Sequence, residues 1–536
     1  MVGSKWTWRA SAAVLALGMS SAATAQPSDI ARIIDEGMNR SQVMTTASEL
    51  IDGIGGRLTN STSMRRAEDW AVAEMQSLGL ANIRREGFEF GRGWDLIDSE
   101  VRMVSPRPIK LAAIPVAWTP GTNGVLRAPV VVAPISERRH FDAYRGKLAG
   151  KIVLISLPGE GSEPTEPIFV RHDGASLGKL DEYRQPKFDP DAINQRVDRS
   201  KFALDLDAFL ASQGAVGWAR MAYRDGKLVH GAGYTYLVGA TPKLPGIEIA
   251  AEDYRRLARL AKTGAPVIEI NSNTHFVDSD TKAYNIIGEI AGSNPKAGYV
   301  MAGAHFDSWV AGDGAVDNGA GSVVVLEAAR ILRQLGVRPK RSIRFALWGA
   351  EEQGLLGSQA YIDRHIATRR LPAGTPADEV IARWREAFPI EPRSGYGQLK
   401  AYFNMDNGSG KLRGVHAEGN AAAVPLLKEW IGPFASMGAT AVVAAPTGGT
   451  DHVFMQSVGV PGFQFVQDPL DYSARLHHSS IDTFDHLKAA DLRQAAVVMA
   501  GMLLAAANSN IELPRPPLPT QPLPTDPFKY DYPKDR

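Results

Sequence analysis

Apolar runs of strand length and apolar residues at helical spacing follow one another along most of this chain. Met64, Ala67, Ala71, Met75 and Leu78 recur at intervals of three and four, which predicts an amphipathic helix. Asn60 to Ser63 offer its N-cap and Gly79 its stop. Ala283 to Ile290 reads as a strand, Ser293-Asn294-Pro295 as a turn, and Tyr299 to Gly303 as a second, buried strand. Ser322 to Ala329 reads as a helix. Ile343 to Trp348, Ala401 to Met405 and Pro461 to Val466 supply further strands. Leu487 to Ala507 is a helix apolar enough for the interior, and Lys488, Asp491 and Arg493 argue against a membrane span. Strands alternating with helices in this way predict an α/β fold with a mixed central sheet flanked by helices. Within the long connection from Tyr361 to Gln398, which is read as a surface insertion, Ala377 to Phe388 is predicted helical.

Polar residues interrupt the pattern where an α/β sheet binds its ligands, at the carboxyl ends of strands. His305 and Asp307 end one strand, and Asp317 lies on the Gly-rich turn before the next helix. Glu351 and Glu352 end the second, and Asp406 ends the third. His477 and His478 follow on a later loop. One His beside one Asp is ordinarily just a hydrogen-bonded pair. Three apolar strands that each finish on carboxylate or imidazole point to a cation. Zinc accepts both donor types and leaves a position for water in catalytic sites. Two metals about 3.5–4 Å apart can share one carboxylate and clamp both oxygens of a hydrolytic transition state. His305, Asp317, Glu352, Asp406 and His478 supply five ligands for two zinc ions, and Glu351 is left as a general base.

The whole set is His-x-Asp, Asp-Asn-Gly-x-Gly, Glu-Glu, Asn-x-Asp and His-His-Ser-x-x-Asp-Thr. In this order it resembles zinc metallopeptidase family 28, which includes bacterial leucyl aminopeptidases and plasma glutamate carboxypeptidase. The resemblance implies a zinc-exopeptidase fold and a peptide substrate. It selects His478 over His477, because the family's ligand directly precedes a small hydroxyl residue and stands four before an Asp, as His478 does with Ser479 and Asp482. It implies that Asp317 bridges the metals, with His305 and Glu352 completing one site and Asp406 and His478 the other. Asp307 is expected to hold the far nitrogen of His305, and Tyr472 to stabilise the oxyanion. Asp451 and His452 are expected to buttress the site without ligating. Arg475 is a candidate for meeting a substrate carboxylate.

Length and texture divide the chain. At 536 residues it exceeds one ordinary domain. Val130 to Ala133 and Lys151 to Ile155 are strand-like runs set among Pro and Gly turns, and Leu244 to Ile249 leads into a helix from Ala251. This stretch resembles a β-rich protease-associated domain inserted into the peptidase. The expected organisation is a signal peptide at 1–25, catalytic domain at 26–110, inserted domain at 111–275, catalytic domain again at 276–510 and a Pro-rich tail at 511–536. The leader rests on Lys5 and Arg9, the apolar core Ala12 to Met19, and Ala23-Thr24-Ala25 as the cleavage site, which predicts export to a periplasm or the exterior. A net charge of +1, with both signs mixed along the chain, gives no basis for a nucleic-acid partner. The absence of Cys excludes disulfides, a thiolate nucleophile and Cys-ligated zinc.

The activity these residues imply is hydrolysis at the free N-terminus of di- or short peptides. Carboxypeptidase action, a single-zinc glutaminyl cyclase and an inactive binding module are the alternatives. A Ser hydrolase is disfavoured because no G-x-S-x-G elbow stands beside a strand.

Overall fold

A computed structural model describes residues 28–162, 165–182, 192–376 and 379–520. The expected signal peptide and the distal tail, 521–536, lie outside the described residues.

An eight-stranded mixed sheet forms the larger layer. Its spatial order is Ala81–Glu89, Lys282–Ile290, Ser342–Trp348, Tyr299–His305, Leu399–Asn404, Gly462–Gln467, Leu412–His416 and Ala441–Val443. The central strands run parallel, with Tyr299–His305 between Ser342–Trp348 and Leu399–Asn404. A parallel strand buried on both faces must be apolar on both, and these are. Val300, Ala302 and Ala304 pack on one side with Ile343, Phe345 and Leu347. Tyr299, Met301, Ala346 and Trp348 fill the other. The first face is covered by Ala320–Gln334 and Ala489–Asn508. Among the described residues, Ala489–Asn508 is the one helix long and apolar enough to cross a membrane, yet 78% of its most apolar window is buried inside this protein. It is an interior helix: its apolar length serves the core.

Because the three central strands are parallel and in register, their carboxyl ends emerge on one edge. His305 pairs with Trp348 in the ladder, and Gly303 pairs with Asn404. The residues just beyond those positions, Glu351, Glu352 and Asp406, are therefore delivered to the same edge as His305.

A second eight-stranded sheet takes its strands from Gly93–Ser105, Ile109–Lys110, Ala113–Pro115, Leu126–Val132, Ile152–Leu154, Gly217–Met221, Gly246–Ile249 and Val267–Val277. It begins earlier than the expected boundary at 111. Gly93–Ser105 pairs along its length with Val267–Val277, so residues 93–110 are bound to this sheet and not to the catalytic one. The region also carries helices, the one expected from Ala251 among them. The helices Ala192–Ser212 and Ala251–Leu260 pack their apolar residues against it.

The helix expected over 377–388 is shorter: Val380–Arg383 followed by a tight turn at Trp384–Glu386. Pro389 bars helical geometry at the residue before it. Trp384 is instead buried edge-on against Phe454, and its indole N–H donates to Asp363 at 2.8 Å. These two contacts fix the segment more firmly than its helix propensity would.

Candidate metal centre

The Asp317 carboxylate stands at the centre of the site. Its Oδ1 lies 3.3 Å from His305 Nε2, and its Oδ2 lies 3.1 Å from His478 Nε2. His305 Nε2 also approaches Asp406 Oδ1 at 3.3 Å, and His478 Nε2 approaches Glu352 Oε2 at 2.8 Å. The structure thus brings all five sequence-predicted ligands together, but in a different partition. His305 is grouped with Asp406, and His478 with Glu352. The strand order explains the change. Tyr299–His305 has the Asp406 strand on one side, while Glu352 lies past the end of Ser342–Trp348, where the turn carries it toward the His478 loop.

His477 stacks on His478 with ring centroids 3.6 Å apart and comes within 3.7 Å of Asp317 Oδ2. His478 is nearer to Asp317 and touches Glu352 as well. The tyrosine hydroxyl of Tyr472 donates to Asp317 Oδ1 at 3.1 Å.

The loop that carries Asp317 is tied to its neighbours. Asp482 accepts from the amides of Val316 and Asp317 at 2.7 and 3.1 Å, which fixes the Asp317 loop to the loop of His478. Asn318 Nδ2 donates to the Met405 carbonyl at 2.8 Å, tying the same loop to the end of the Asp406 strand. The peptide between Asp317 and Asn318 is cis.

Asp307 does something other than expected. The far nitrogen of His305, Nδ1, lies 3.0 Å from the backbone carbonyl of Asp307, whereas the carboxylate stands 4.0 Å off. That carboxylate accepts from the amides of Glu351 and Glu352 at 3.0 and 3.2 Å and from Thr59 Oγ1 at 3.1 Å. The His-x-Asp spacing places the carbonyl beside the ring and frees the side chain for the neighbouring turn. Asp307 therefore positions the two glutamates.

Electrostatics identify what the cluster lacks. Burial pushes the carboxyls of Glu351 and Glu352 well above the carboxylate range, and further carboxylates nearby, Asp406 for the first and Asp317 for the second, push the same way. Burial would also raise Asp317, but the His305 hydrogen bond and the imidazoles of His478 and His477 hold it well below that range. Among the described residues, Asp317 Oδ2, Glu352 Oε1 and Asp406 Oδ1 are buried without a hydrogen bond. Orphaned carboxylate oxygens crowded around imidazole nitrogens are costly unless a cation neutralises them. The donor set of imidazole nitrogen and carboxylate oxygen suits zinc.

The pocket over this cluster has a volume of about 570 Å³ and is walled by Gly448, Gly449, Thr450, Tyr472 and Arg196 as well as by the ligands. Asp451 and His452 lie behind that wall, fully buried, with His452 Nε2 3.1 Å from Glu418 Oε1. Arg475, the expected carboxylate partner, is paired with Asp471 at 2.8 Å.

Two contributors were missed in the sequence. Arg57 is wholly buried, and its guanidinium donates to the carbonyls of Phe306, Gly55, Asp313 and Gly314 at 2.8–3.0 Å. It joins the His305 strand end to the Asp317 loop. Arg224, from the second sheet's region, donates to the carbonyls of His477 and Ser473, and the Ser480 amide donates to the Val229 carbonyl at 2.9 Å. Only Gly55-Gly56 beside Arg57 signalled that a side chain there meets close-approaching main chain; nothing marked Arg224.

Comparison with known proteins agrees with this geometry. Residues 285–503 match the profile of peptidase family M28. Carboxypeptidase Q of Mus musculus is 26% identical over 475 residues, covering 87% of this chain and 86% of that protein. A peptidase M28 precursor from Shewanella amazonensis superposes with a TM-score of 0.65 at 26% identity, covering 92% of this chain and 100% of the other. BSAP, a zinc aminopeptidase from Bacillus subtilis, has the same fold with a TM-score of 0.55 at 20% identity, over 87% of this chain and 95% of its own.

Proposed function

Residues 285–503 of this chain belong to peptidase family M28, the chain is a zinc metallopeptidase, and from that premise we propose a two-zinc exopeptidase acting at the free N-terminus of di- and short peptides. The observation that carries it is the Asp317 carboxylate, whose two oxygens face two separate ligand groups. His305 and Asp406 would hold one zinc, Glu352 and His478 the other, with Asp317 shared. When bound, the ions would polarise the scissile carbonyl and lower the pKa of the attacking water.

The chain's own residues do the rest. Glu351 lines the pocket, and the contact with the His478 imidazole is made by its neighbour Glu352. It takes the proton of the attacking water and returns it to the leaving amine nitrogen. Asp307 holds the Glu351 amide and so fixes where that carboxylate starts. The Tyr472 hydroxyl, which donates to Asp317 Oδ1, would turn from it to donate to the oxyanion of the tetrahedral intermediate. Pocket carboxylates attract the substrate's free ammonium. The second sheet's region is read as the protease-associated domain, forming part of the rim. The leader is read as directing export.

The name of the murine relative, carboxypeptidase Q, makes release of C-terminal residues the competing reading. One panel decides between them: peptides with free and with N-acetylated termini, products read by mass spectrometry. Cleavage should require the free amine, and C-terminal release from acetylated peptides would overturn the assignment. Two equivalents of zinc per chain are expected, and Glu351→Gln should lose turnover by about 10²–10⁴-fold while keeping both. Metal loss in that variant would remove Glu351 from the role of base.

A further inference from the structure

A second cavity, of about 1160 Å³, opens off the catalytic pocket. Asn407, Tyr472 and Ser473 line both, so the two join beside the metal cluster. Asn407 follows Asp406, and the Tyr472 hydroxyl stands 3.1 Å from Asp317 Oδ1. Pro446, Phe465 and Pro469 give the cavity apolar wall, and Leu180 adds more from a strap of the second sheet's region. The strap is pinned along its length. Val170 and Leu470 exchange backbone hydrogen bonds at 2.9 and 2.7 Å, and the His172 amide donates to Asp468 at 2.8 Å. Asp181 accepts from the amides of Ala444 and Ala445 at 2.6 and 3.0 Å. A gap between packed units is ordinarily filled by water and nothing more. This one holds unmatched acceptors. Gln467 lines it and is 5% exposed. Its Nε2 donates to the Gly408 carbonyl at 2.6 Å, which fixes the amide's orientation, and its Oε1 is buried without a hydrogen bond. Gly408 packs so closely on Tyr472 that a Cβ there would stand 3.0 Å from the Tyr472 Cβ, which sets the Gln467 amide near the junction of the two cavities. Asp181 spends one oxygen on both amides, and Glu182 brings a second, exposed carboxylate to the lining. The cations close by are paired: Arg171 and Arg413 both hold Asp468. Burial lowers the pKa of His172 and His416 in the same lining, so neither adds positive charge at neutral pH.

We propose that this cavity receives the side chain of the substrate's first residue and selects lysine and arginine there. The inference rests on the reading of the catalytic pocket as an exopeptidase site with the substrate amine at the metal cluster. Lysine and arginine lay an apolar stem along apolar surface and keep a cationic head among polar groups. Leu180, Pro446 and Phe465 suit the stem. Gln467 Oε1, Asp181 and Glu182 are acceptors for the head, and a buried acceptor is costly until a donor reaches it. A plain apolar side chain would leave the Gln467 oxygen unmatched, and an acidic one would meet like charge.

The test compares kcat/KM for Lys-Ala-Ala, norleucine-Ala-Ala and Glu-Ala-Ala in the zinc-loaded enzyme, with products read by mass spectrometry. Norleucine has lysine's stem without its charge. Lysine should exceed norleucine by about tenfold or more, and Glu should be the poorest. Raising salt from about 0.02 to 0.5 M should shrink the lysine preference, because exposed carboxylates are screened. Asp181→Asn combined with Glu182→Gln should bring the lysine-to-norleucine ratio within about threefold of one, with zinc content unchanged. Asn at 181 keeps an oxygen for the two amides, so the strap stays seated. A ratio near one in wild type, or one that survives the double substitution, overturns the proposal. Release of the C-terminal Ala, with a lysine preference that the double substitution abolishes, would overturn the amino-terminal reading and support the selectivity of the cavity.

Discussion

Removing the Arg57 guanidinium should loosen the metal-site loops more than any other single truncation outside the ligand set. Arg57→Met keeps much of the side chain's volume and deletes its donors. Four main-chain carbonyls, those of Gly55, Phe306, Asp313 and Gly314, then lose their partners in a place water does not reach. A buried acceptor left without a donor costs about 1–3 kcal/mol, so four would sum to about 4–12 kcal/mol with no relaxation. Some of that is returned, because burial already strains the cation: it lowers the Arg57 pKa to about 10, against the raising influence of Asp482, Asp307 and nearby carboxylates. Breaking a buried charged network typically costs about 3–5 kcal/mol, and that range is expected here. Unlike the partners of a buried salt bridge, backbone carbonyls cannot be mutated away, so an apolar replacement has no compensating design. The assay is local: amide hydrogen exchange over 306–318 in the zinc-loaded protein. A loss of that size should speed exchange by about 10²- to 4 × 10³-fold. Arg57→Lys, with at most three donors, should fall between the two. Exchange within about fivefold of wild type would refute the argument that this arginine holds the loop.

His478→Ala should lose about one equivalent of zinc and His477→Ala should keep both, by metal analysis after gel filtration; the 2.8 and 3.1 Å contacts of His478 against the single 3.7 Å approach of His477 set the order. Arg224→Ala should free the 473–478 loop from the second sheet's region, lowering kcat/KM by about tenfold through misplacement of His478, while global unfolding by circular dichroism moves little. Glu248 supplies a pH test away from the metals. Burial raises its pKa, but the His230 hydrogen bond and the Arg220 charge overcome this and lower it to about 2. Its contribution, about 3 kcal/mol, is full above the ordinary value near 4.5 and is lost as pH falls toward 2. The gap in urea midpoint between wild type and Glu248→Gln should therefore be wide at pH 6 and narrow by pH 3.

His305, Glu352 and Asp406 were legible because each stands at or just past the end of an apolar strand, and Asp317 and His478 only through the motifs around them. Parallel register then does the assembling: Ala304 beside Leu347 and Gly303 beside Asn404 leave His305, Glu352 and Asp406 no other edge to emerge on. The partition of ligands between the two groups was not legible, because it depends on spatial strand order, in which Tyr299–His305 lies between strands that both follow it in the chain. The role of Asp307 was misread for a related reason. His-x-Asp spacing fixes the backbone between the two residues, and so the carbonyl, but the side chain answers to the turn at Glu351, which the sequence places 44 positions away. Arg224 was invisible, and Arg57 marked only by the adjoining Gly55-Gly56, for a third reason: arginines in loops are common, and only tertiary neighbours distinguish them. Arg57 binds four carbonyls that belong to three separate stretches of chain, and Arg224 grips two in the His478 loop. The ligating residues are thus written in local pattern, whereas the residues that position them are written in contacts that span from 44 to more than 250 positions. Substitutions that alter specificity are accordingly to be sought among the second sheet's residues facing the pocket, where the sequence gives no motif to follow.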